Sequence, residues 1–183
     1  MTDESAAERY EVTGRLGEGG RGSVYTAIDR VLDRRVAIKR LYEVTDAAIA
    51  ELKREAAALA SLQHPNIVAI YDIPLDEEGG FVVMELVDGP TLKEQCLDNP
   101  MPEHAFRAFA AGCLEGLVAA HSKSLIHRDL KPTNLMLRSL PSGLIEAKIL
   151  DFGLSAFRRA LAPDCGPKRS DHRVDPLRYP GAI

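Results

Sequence analysis

A glycine-rich stretch between two alternating segments places the strongest constraint on how this chain folds. "YEVTGRL" (residues 10–16) and "SVYTAID" (residues 23–29) alternate apolar and polar side chains, as half-buried strands do. "GEGGRG" separates them and puts Gly17, Gly19 and Gly22 in a G-x-G-x-x-G pattern. A dinucleotide-binding turn needs a helix directly after its glycines. Because a strand follows instead, the pattern predicts a hairpin that breaks at its glycines.

The segments after this hairpin extend it into a sheet. "RRVAIKRL" (residues 34–41), "IVAIYDIPL" (67–75) and "FVVMELV" (81–87) are apolar enough for three more strands. Between them, residues 45–63 are rich in Ala, Leu, Glu and Lys, and Thr45 or Asp46 is placed to cap a helix. We therefore expect a five-stranded antiparallel sheet with one long helix.

Helical patterns dominate after residue 90. Residues 91–99 predict a short helix, and residues 102–124 predict a longer amphipathic one. The apolar positions of the longer helix form a stripe of Phe106, Phe109, Cys113, Leu117 and Ala120. Residues 134–153 predict a hairpin that turns at "PSG". The expected fold class is α+β and bilobal: an N-terminal tail at 1–9, a first lobe at 10–88, an incomplete helical lobe at 89–157 and an irregular tail at 158–183.

Composition restricts the class of protein. The 183 residues carry a net charge of -4, which gives no reason to expect a nucleic acid partner. The polar start of the chain does not resemble a signal peptide, and no apolar run is long enough for a membrane helix. Cys96, Cys113 and Cys165 are too widely spaced for a disulfide framework or a zinc site. We expect a cytoplasmic protein whose thiols are buried or idle.

The segment "LIHRDLKPTNLML" (residues 125–137) places an Asp, a Lys and an Asn in a fixed order. Phosphoryl transfer to a hydroxyl requires that the hydroxyl be oriented, its proton accepted and the phosphate charge neutralised. Asp129 is suited to accept the proton and Lys131 to neutralise charge. Asn134 and Asp151 offer the oxygen ligands that Mg2+ prefers. These residues together predict a site for a nucleotide and Mg2+.

Lys39 and Glu55 are ambiguous when each is taken alone. A lysine at the end of a strand and a glutamate within a helix are usually solvated, and a glycine-rich turn by itself is a weak signal. A lysine that faces phosphates, however, needs an acidic partner to fix its direction. A helix packed on the sheet could bring Glu55 to Lys39.

The ordered set of motifs resembles the eukaryotic-type serine/threonine protein kinase family, including its bacterial members. The motifs are "GEGGRGSV", "VAIK", the helix glutamate, "HPNIV", "VMELVDG", "HRDLKPTN" and "DFG", and they run in order between residues 10 and 155. The resemblance implies that Lys39 pairs with Glu55 and that Asp129 is the catalytic base, with Lys131 beside it. It also implies that Mg2+ is held by two residues, Asn134 and Asp151.

The same resemblance implies an ATP site. The glycines would cover the phosphates, Met84 would be the gatekeeper, and the backbone of Glu85 and Val87 would bond the adenine edge. Plain core packing is an equally ordinary role for the apolar members of the set. The residues placed around ATP in this way are Leu16, Gly17, Gly19, Gly22, Val24, Ala37, Lys39, Met84, Glu85, Val87 and Met136. Lys131 followed by Pro132 is typical of serine/threonine kinases, and Arg128 of those regulated by activation-loop phosphorylation.

The kinase pattern stops after "DFGLSAF". Residues 158–183 contain no "APE" and are rich in Pro, Gly and mixed charge, which predicts loop or disorder. We expect a truncated kinase domain without its later helices. Phe106, Phe109 and Leu117 would then be exposed, and a partner could cover the 102–124 helix.

Three functions stay open at this point. The first is a serine/threonine protein kinase that acts on protein hydroxyls. The second is a non-catalytic, pseudokinase-like ATP-binding module that docks through its exposed helix, although every catalytic position is filled. The third is a small-molecule phosphotransferase, which "VAIK" and the lysine of "HRDLKPTN" disfavour.

Overall fold

A computed structural model describes residues 9–19, 22–40, 62–74, 80–98, 100–141 and 144–152. Five strands form the first sheet, in the order β1-β2-β3-β5-β4 with antiparallel neighbours throughout. Their bounds are β1 Tyr10–Gly19, β2 Gly22–Asp29, β3 Arg34–Arg40, β4 Ile70–Asp72 and β5 Phe81–Glu85. The expected five-stranded sheet is confirmed. Almost all of the helix expected at 45–63, with its capping residues, lies outside the described residues.

The glycine hairpin differs from the expected break in the strands. β1 continues through Gly17 to Gly19, and β2 begins at Gly22, so the pairing of the two strands extends to Gly19 and Gly22. Gly19 and Gly22 are the last paired residues before a two-residue connection, the loop length that tight hairpins favour. Cross-strand pairing therefore outweighs the low intrinsic strand propensity of glycine here.

The second half of the chain contains two helices and a second hairpin. Their bounds are α1 Leu92–Asp98, α2 Glu103–Ser122, a 3-10 turn at Pro132–Asn134, β6 Leu135–Ser139 and β7 Ile145–Ile149. β6 and β7 pair antiparallel and are called the hairpin below. α1 begins with a capping box, because the amide of Glu94 donates to the Thr91 hydroxyl and the amide of Thr91 donates to the Glu94 carboxylate. The amide and the hydroxyl of Thr91 both donate to the Glu94 carboxylate, and these two bonds lower the pKa of Glu94.

Part of the predicted apolar stripe of α2 is buried. Phe109 is only 2% exposed, because it packs with Cys113 and the hairpin residues Ala147 and Ile149 in one core cluster. The expectation that Phe109 would be exposed is therefore wrong. Leu117 is also partly buried against this cluster, while Phe106 is 51% exposed as expected. The outer stripe of α2 consists of Phe106, Leu114 and Val118.

The segment at residues 64–68 joins the first sheet to the hairpin. Ile67 forms a parallel bridge with Ile149, and the amide of Ile149 donates to the carbonyl of Asn66 at 2.8 Å. The Asn66 side chain donates to the carbonyl of Ala147 at 2.9 Å. α2 covers this junction closely, because a Cβ on Gly112 would lie 2.7 Å from Nδ2 of Asn66. This junction places β3 and β5 at a fixed distance from the hairpin.

The two described thiols fit the expectation of idle cysteines. Cys113 is buried, and burial raises its pKa to about 11, which suppresses thiolate formation at neutral pH. Cys96 is an exposed free thiol, and Cys165 lies outside the described residues. In the part of the chain that the structure describes, no helix has the length and apolar character needed to cross a membrane.

A buried acid ties the start of β1 to the rest of the sheet. Asp29 is fully buried, and Arg9 donates to both of its carboxylate oxygens, at 2.9 and 2.8 Å. The hydrogen bond from Arg9, with further bonds from the amides of Val31 and Leu32, lowers the pKa of Asp29 despite its burial. The neighbouring Tyr10 hydroxyl donates to Asp72 of β4 at 3.0 Å.

We predict that Asp29→Asn lowers the free energy of unfolding by about 2 kcal/mol at pH 7, because Arg9 loses the nearer of its two charged partners, Asp29 and Asp72. The folded-state pKa of Asp29 lies below its ordinary 3.8, so its contribution is present above that value and is lost as the pH falls through the folded-state pKa. Urea unfolding at pH 7 and pH 3 should show that the difference between wild type and variant shrinks in acid. The matched control is Asp88→Asn in an exposed pair with Arg35, which should cost less than about 0.5 kcal/mol.

The chain turns sharply at Gly89, where β5 leads into the second half. Gly89 has φ of 152°, and a Cβ there would lie 1.9 Å from the carbonyl oxygen of Leu137. The next residue, Pro90, accepts a hydrogen bond from the Leu137 amide at 2.9 Å. The connection is therefore pressed directly against β6, and this approach requires glycine.

Gly89→Ala should lower the free energy of unfolding by about 2 kcal/mol or more, because neither the backbone angle nor the carbonyl of Leu137 accommodates a Cβ. Gly17→Ala is the matched control, since a Cβ at Gly17 meets no atom within 4 Å. Denaturant unfolding of both variants checks this prediction. Equal stabilities would contradict the close approach of Gly89 to β6.

Candidate active site

Lys39 and Asp151 connect the first sheet to the end of the hairpin. Lys39 lies on β3 between its pairing partners Val24 and Val82, and its Nζ donates to Oδ2 of Asp151 at 2.6 Å. Asp151 adopts φ of 59°, a left-handed conformation that a non-glycine residue adopts at an energetic cost. Glu55, the expected partner of Lys39, lies outside the described residues. Asp151 is therefore the acidic partner that the described structure provides.

The loop before β6 brings its polar side chains into one cluster. Lys131 Nζ donates to Oδ2 of Asp129 at 2.9 Å. Asn134 Nδ2 donates to the backbone oxygen of Asp129 at 2.8 Å and lies 3.4 Å from its Oδ2. The 3-10 turn at Pro132–Asn134 produces this contact by folding the chain back after Lys131. The spacing of the three residues thus closes a small loop around the Asp129 carboxylate.

His127 holds this loop against the residues before Asp151. Its Nε2 lies 2.7 Å from the carbonyl oxygen of Leu150, and its Nδ1 accepts the amide of Asp129 at 3.3 Å. This pattern assigns the proton to Nε2, since a carbonyl can only accept. The ring of His127 also packs edge-on against Phe152, with centroids 4.7 Å apart.

A backbone bond completes the connection between the two groups. The amide of Leu150 donates to the carbonyl of Asn134 at 2.9 Å. The Asp129 loop and Asp151 are therefore neighbours held by both backbone and side-chain contacts. His127 is a site residue without a predicted role, although it directly precedes the Arg-Asp pair of the motif.

The apolar residues expected around adenine are partly brought together. Ala37, Met84 and Val87 are buried in one cluster, and Met136 packs against it from the hairpin. Val24 is half-buried opposite Lys39, whereas Leu16 is 56% exposed and is not part of this cluster. The glycines lie on the paired ends of β1 and β2 beside Val24, and the space next to Gly17 is open.

Met84 lies deep between the two halves of the site. It pairs with Ala37 across β3 and β5, and it lines a small apolar cavity that Asp151 and Phe152 also line. The amide of the next residue, Glu85, donates to the carbonyl of Ala69 at 2.9 Å. The Glu85 side chain binds Arg138 and Lys148, an arrangement that the local sequence pattern did not predict.

The two residues expected to hold Mg2+ have the appropriate chemistry. Asp151 and Asn134 supply carboxylate and amide oxygens, which are hard ligands. Because Nδ2 of Asn134 is engaged by Asp129, the Oδ1 of that amide is the atom oriented as an acceptor. Mg2+ is usually bound by one or two protein groups together with water and phosphate oxygens, so a set of two fits the ion.

Comparison with known proteins identifies a family for the chain. The model of the family described as "Protein kinase domain" matches residues 10–163. A probable serine/threonine-protein kinase PknB of Lactococcus lactis is 43% identical over 81% of this chain and 24% of its own length. Serine/threonine-protein kinase PknL of Mycobacterium tuberculosis is 39% identical over 80% of this chain and 37% of its own.

A third relative extends the comparison to another genus. Serine/threonine-protein kinase PrkC of Bacillus subtilis is 38% identical over 80% of this chain and 23% of its own length. The chain thus spans between about a quarter and somewhat more than a third of the length of these curated relatives. The match over residues 10–163 and these identities show that the chain belongs to the protein kinase domain family, as a bacterial-type member of its eukaryotic-like serine/threonine branch.

Proposed function

We propose that this protein transfers the γ-phosphate of ATP to serine or threonine hydroxyls of proteins, with Mg2+ as the metal. The observation that carries the proposal is the joined polar cluster. Asp129, Lys131 and Asn134 lie in one loop, and backbone and histidine contacts hold that loop beside Asp151, which pairs with Lys39.

Asp129 is the residue that we assign as catalytic base. Lys131 and Asn134 both approach its Oδ2, so they fix the orientation of the carboxylate. A hydroxyl placed against Asp129 would be oriented for attack on the γ-phosphorus, and its proton would pass to the carboxylate. The new oxygen–phosphorus bond would form as the bond to the bridging oxygen breaks and ADP leaves. Lys131, beside the base, would offset the negative charge on the transferred phosphoryl group.

Lys39, Asn134 and Asp151 form the phosphate side of the proposed site. Bound Mg2+ would supply charge neutralisation on the nucleotide phosphates. Asn134 and Asp151 would hold the ion through their oxygens, and Lys39 would donate to phosphate oxygens from the side of the first sheet. The Lys39–Asp151 bond brings the cation of Lys39 and the carboxylate of Asp151 together at the proposed phosphate position.

The adenine site is proposed at the junction of β5 and β6. Ala37, Met84, Val87 and Met136 provide apolar surface on both sides, and their shared cluster supports this placement. The carbonyl of Glu85 and the backbone of Val87 would bind the base edge. The glycine hairpin, with Leu16 and Val24, would cover the phosphates and ribose.

The protein substrate and a cytoplasmic location are also proposals. The exposed thiol of Cys96 fits a reducing compartment. The exposed stripe of Phe106, Leu114 and Val118 favours a second candidate function, an ATP-binding module that docks on a partner without catalysis. Turnover measurements separate the two functions.

We predict that Asp129→Asn lowers kcat at least about a hundredfold while the Kd for ATP changes less than about twofold, because the base acts in transfer and not in nucleotide binding. Lys39→Met should weaken ATP binding itself, because it removes a phosphate donor. Labelled-phosphate transfer to a mixed protein substrate measures kcat, and calorimetric titration measures Kd.

Arg107→Gln is the matched control for these variants. It removes a cation from an exposed pair with Glu103 on α2, and it should change neither quantity. Unchanged turnover in Asp129→Asn would refute the assignment of the base. ATP binding by the wild type without any turnover would favour the non-catalytic module.

A further inference from the structure

Four charged side chains meet where β5 lies against the hairpin. Arg138 Nη1 donates to Oε1 of Glu85 at 2.7 Å, and Lys148 Nζ lies 2.9 Å from the same carboxylate. Nη2 of Arg138 also donates to Glu146. The amide of Ala69 approaches Oε2 of Glu85 at 3.3 Å. We call Glu85, Arg138, Glu146 and Lys148 the charge cluster.

The charge cluster is more buried than an ordinary surface salt bridge. The side chain of Lys148 is 5% exposed and that of Glu85 is 15% exposed. Exposed ion pairs usually contribute little to stability, but a buried charge depends on its partners because it has lost its hydration. The two acids and two bases balance in charge, so each buried ion has an opposite neighbour. The position of the Glu85 side chain is therefore closely determined.

The charge cluster connects the two ends of the proposed ATP site. Glu85 is the last residue of β5, and its own carbonyl is a proposed adenine contact. Arg138 and Lys148 lie on the two strands of the hairpin, and Lys148 pairs with Met136, which packs on the apolar cluster. Asn134 and Asp151 lie together at the open end of the same hairpin, directly before β6 and two residues after β7.

We propose that Arg138 and Lys148 are positioning residues that fix the position of the Glu85 backbone relative to the phosphate side of the site. Neither is placed to touch the nucleotide. They would act by fixing the position of Glu85. The distance between the binding positions of the adenine edge and the γ-phosphate would then stay constant. This inference rests on the proposed ATP-binding function, and it concerns recognition of the base and not the chemical step.

The test compares two nucleotides that differ at the base edge. Inosine triphosphate carries a carbonyl where ATP carries the amino group that would donate to the Glu85 carbonyl, and a protonated N1 where ATP has an acceptor. The ratio of their Kd values, measured by calorimetric titration with Mg2+, therefore reports the alignment of the backbone at Glu85 and Val87 with the base edge. General destabilisation of the fold would weaken the binding of both nucleotides and leave the ratio of their Kd values unchanged.

We expect wild type to prefer ATP by about tenfold or more. With inosine triphosphate, the base carbonyl would face the Glu85 carbonyl, and no hydrogen bond could form where ATP makes one. Lys148→Met and Arg138→Gln should each reduce this preference to about threefold or less, since loss of alignment removes the bond. Arg138→Lys should restore part of it, because it keeps a cation beside Glu85. Arg107→Gln on α2 should leave the ratio at the wild-type value.

The outcomes are separable. Failure of the wild type to bind ATP would refute the proposed function, and this inference with it. Tight ATP binding with no preference over inosine triphosphate, or a preference that persists in both folded variants, would refute the positioning role alone. If Lys148→Met does not fold, Arg138→Gln and Arg138→Lys still decide the question, because Arg138 is the more exposed member of the pair.

Discussion

The pairing of residues 66–67 with β7 is the contact on which the site depends. Lys39 belongs to the first sheet and Asp151 follows the hairpin, so their 2.6 Å bond exists only if these two units are held together. Ile67 and Ile149 provide a backbone bridge, and Asn66 adds a side-chain bond to Ala147. Because α2 packs closely over this junction at Gly112, a shift of the helix would move both halves of the site.

The ion pairs around this junction differ in how deeply they are buried. Lys39 with Asp151, and Lys131 with Asp129, are pairs of intermediate exposure that a bound nucleotide could rearrange. In the charge cluster, the side chain of Lys148 is more buried than the side chains of those two pairs. The cluster joins β5, β6 and β7, so it is suited to hold a fixed geometry. The ions that we propose for the reaction are thus distinct from those that we propose to hold the backbone at Glu85 in place.

Local patterns predicted the elements and the small polar loop, since these depend on short sequence separations. Alternation identified the strands, and the spacing of Asp129, Lys131 and Asn134 identified a cluster that one 3-10 turn closes. Long-range partners could not be predicted in this way. Helical periodicity gave α2 an apolar face, but only the position of β7 determines that Phe109 is covered while Phe106 is exposed. The side chain of Glu85 meets cations more than fifty residues away, and no local pattern contains that information.

The most direct test of the account is thermal unfolding of the purified chain with and without ATP and Mg2+, repeated with EDTA. A ligand that binds the folded state alone raises Tm by mass action. We predict a rise with ATP and Mg2+ that EDTA reduces, because Asn134 and Asp151 would bind the nucleotide through the metal. A folded chain whose Tm does not respond to ATP and Mg2+ would contradict the claim that these residues form a nucleotide site.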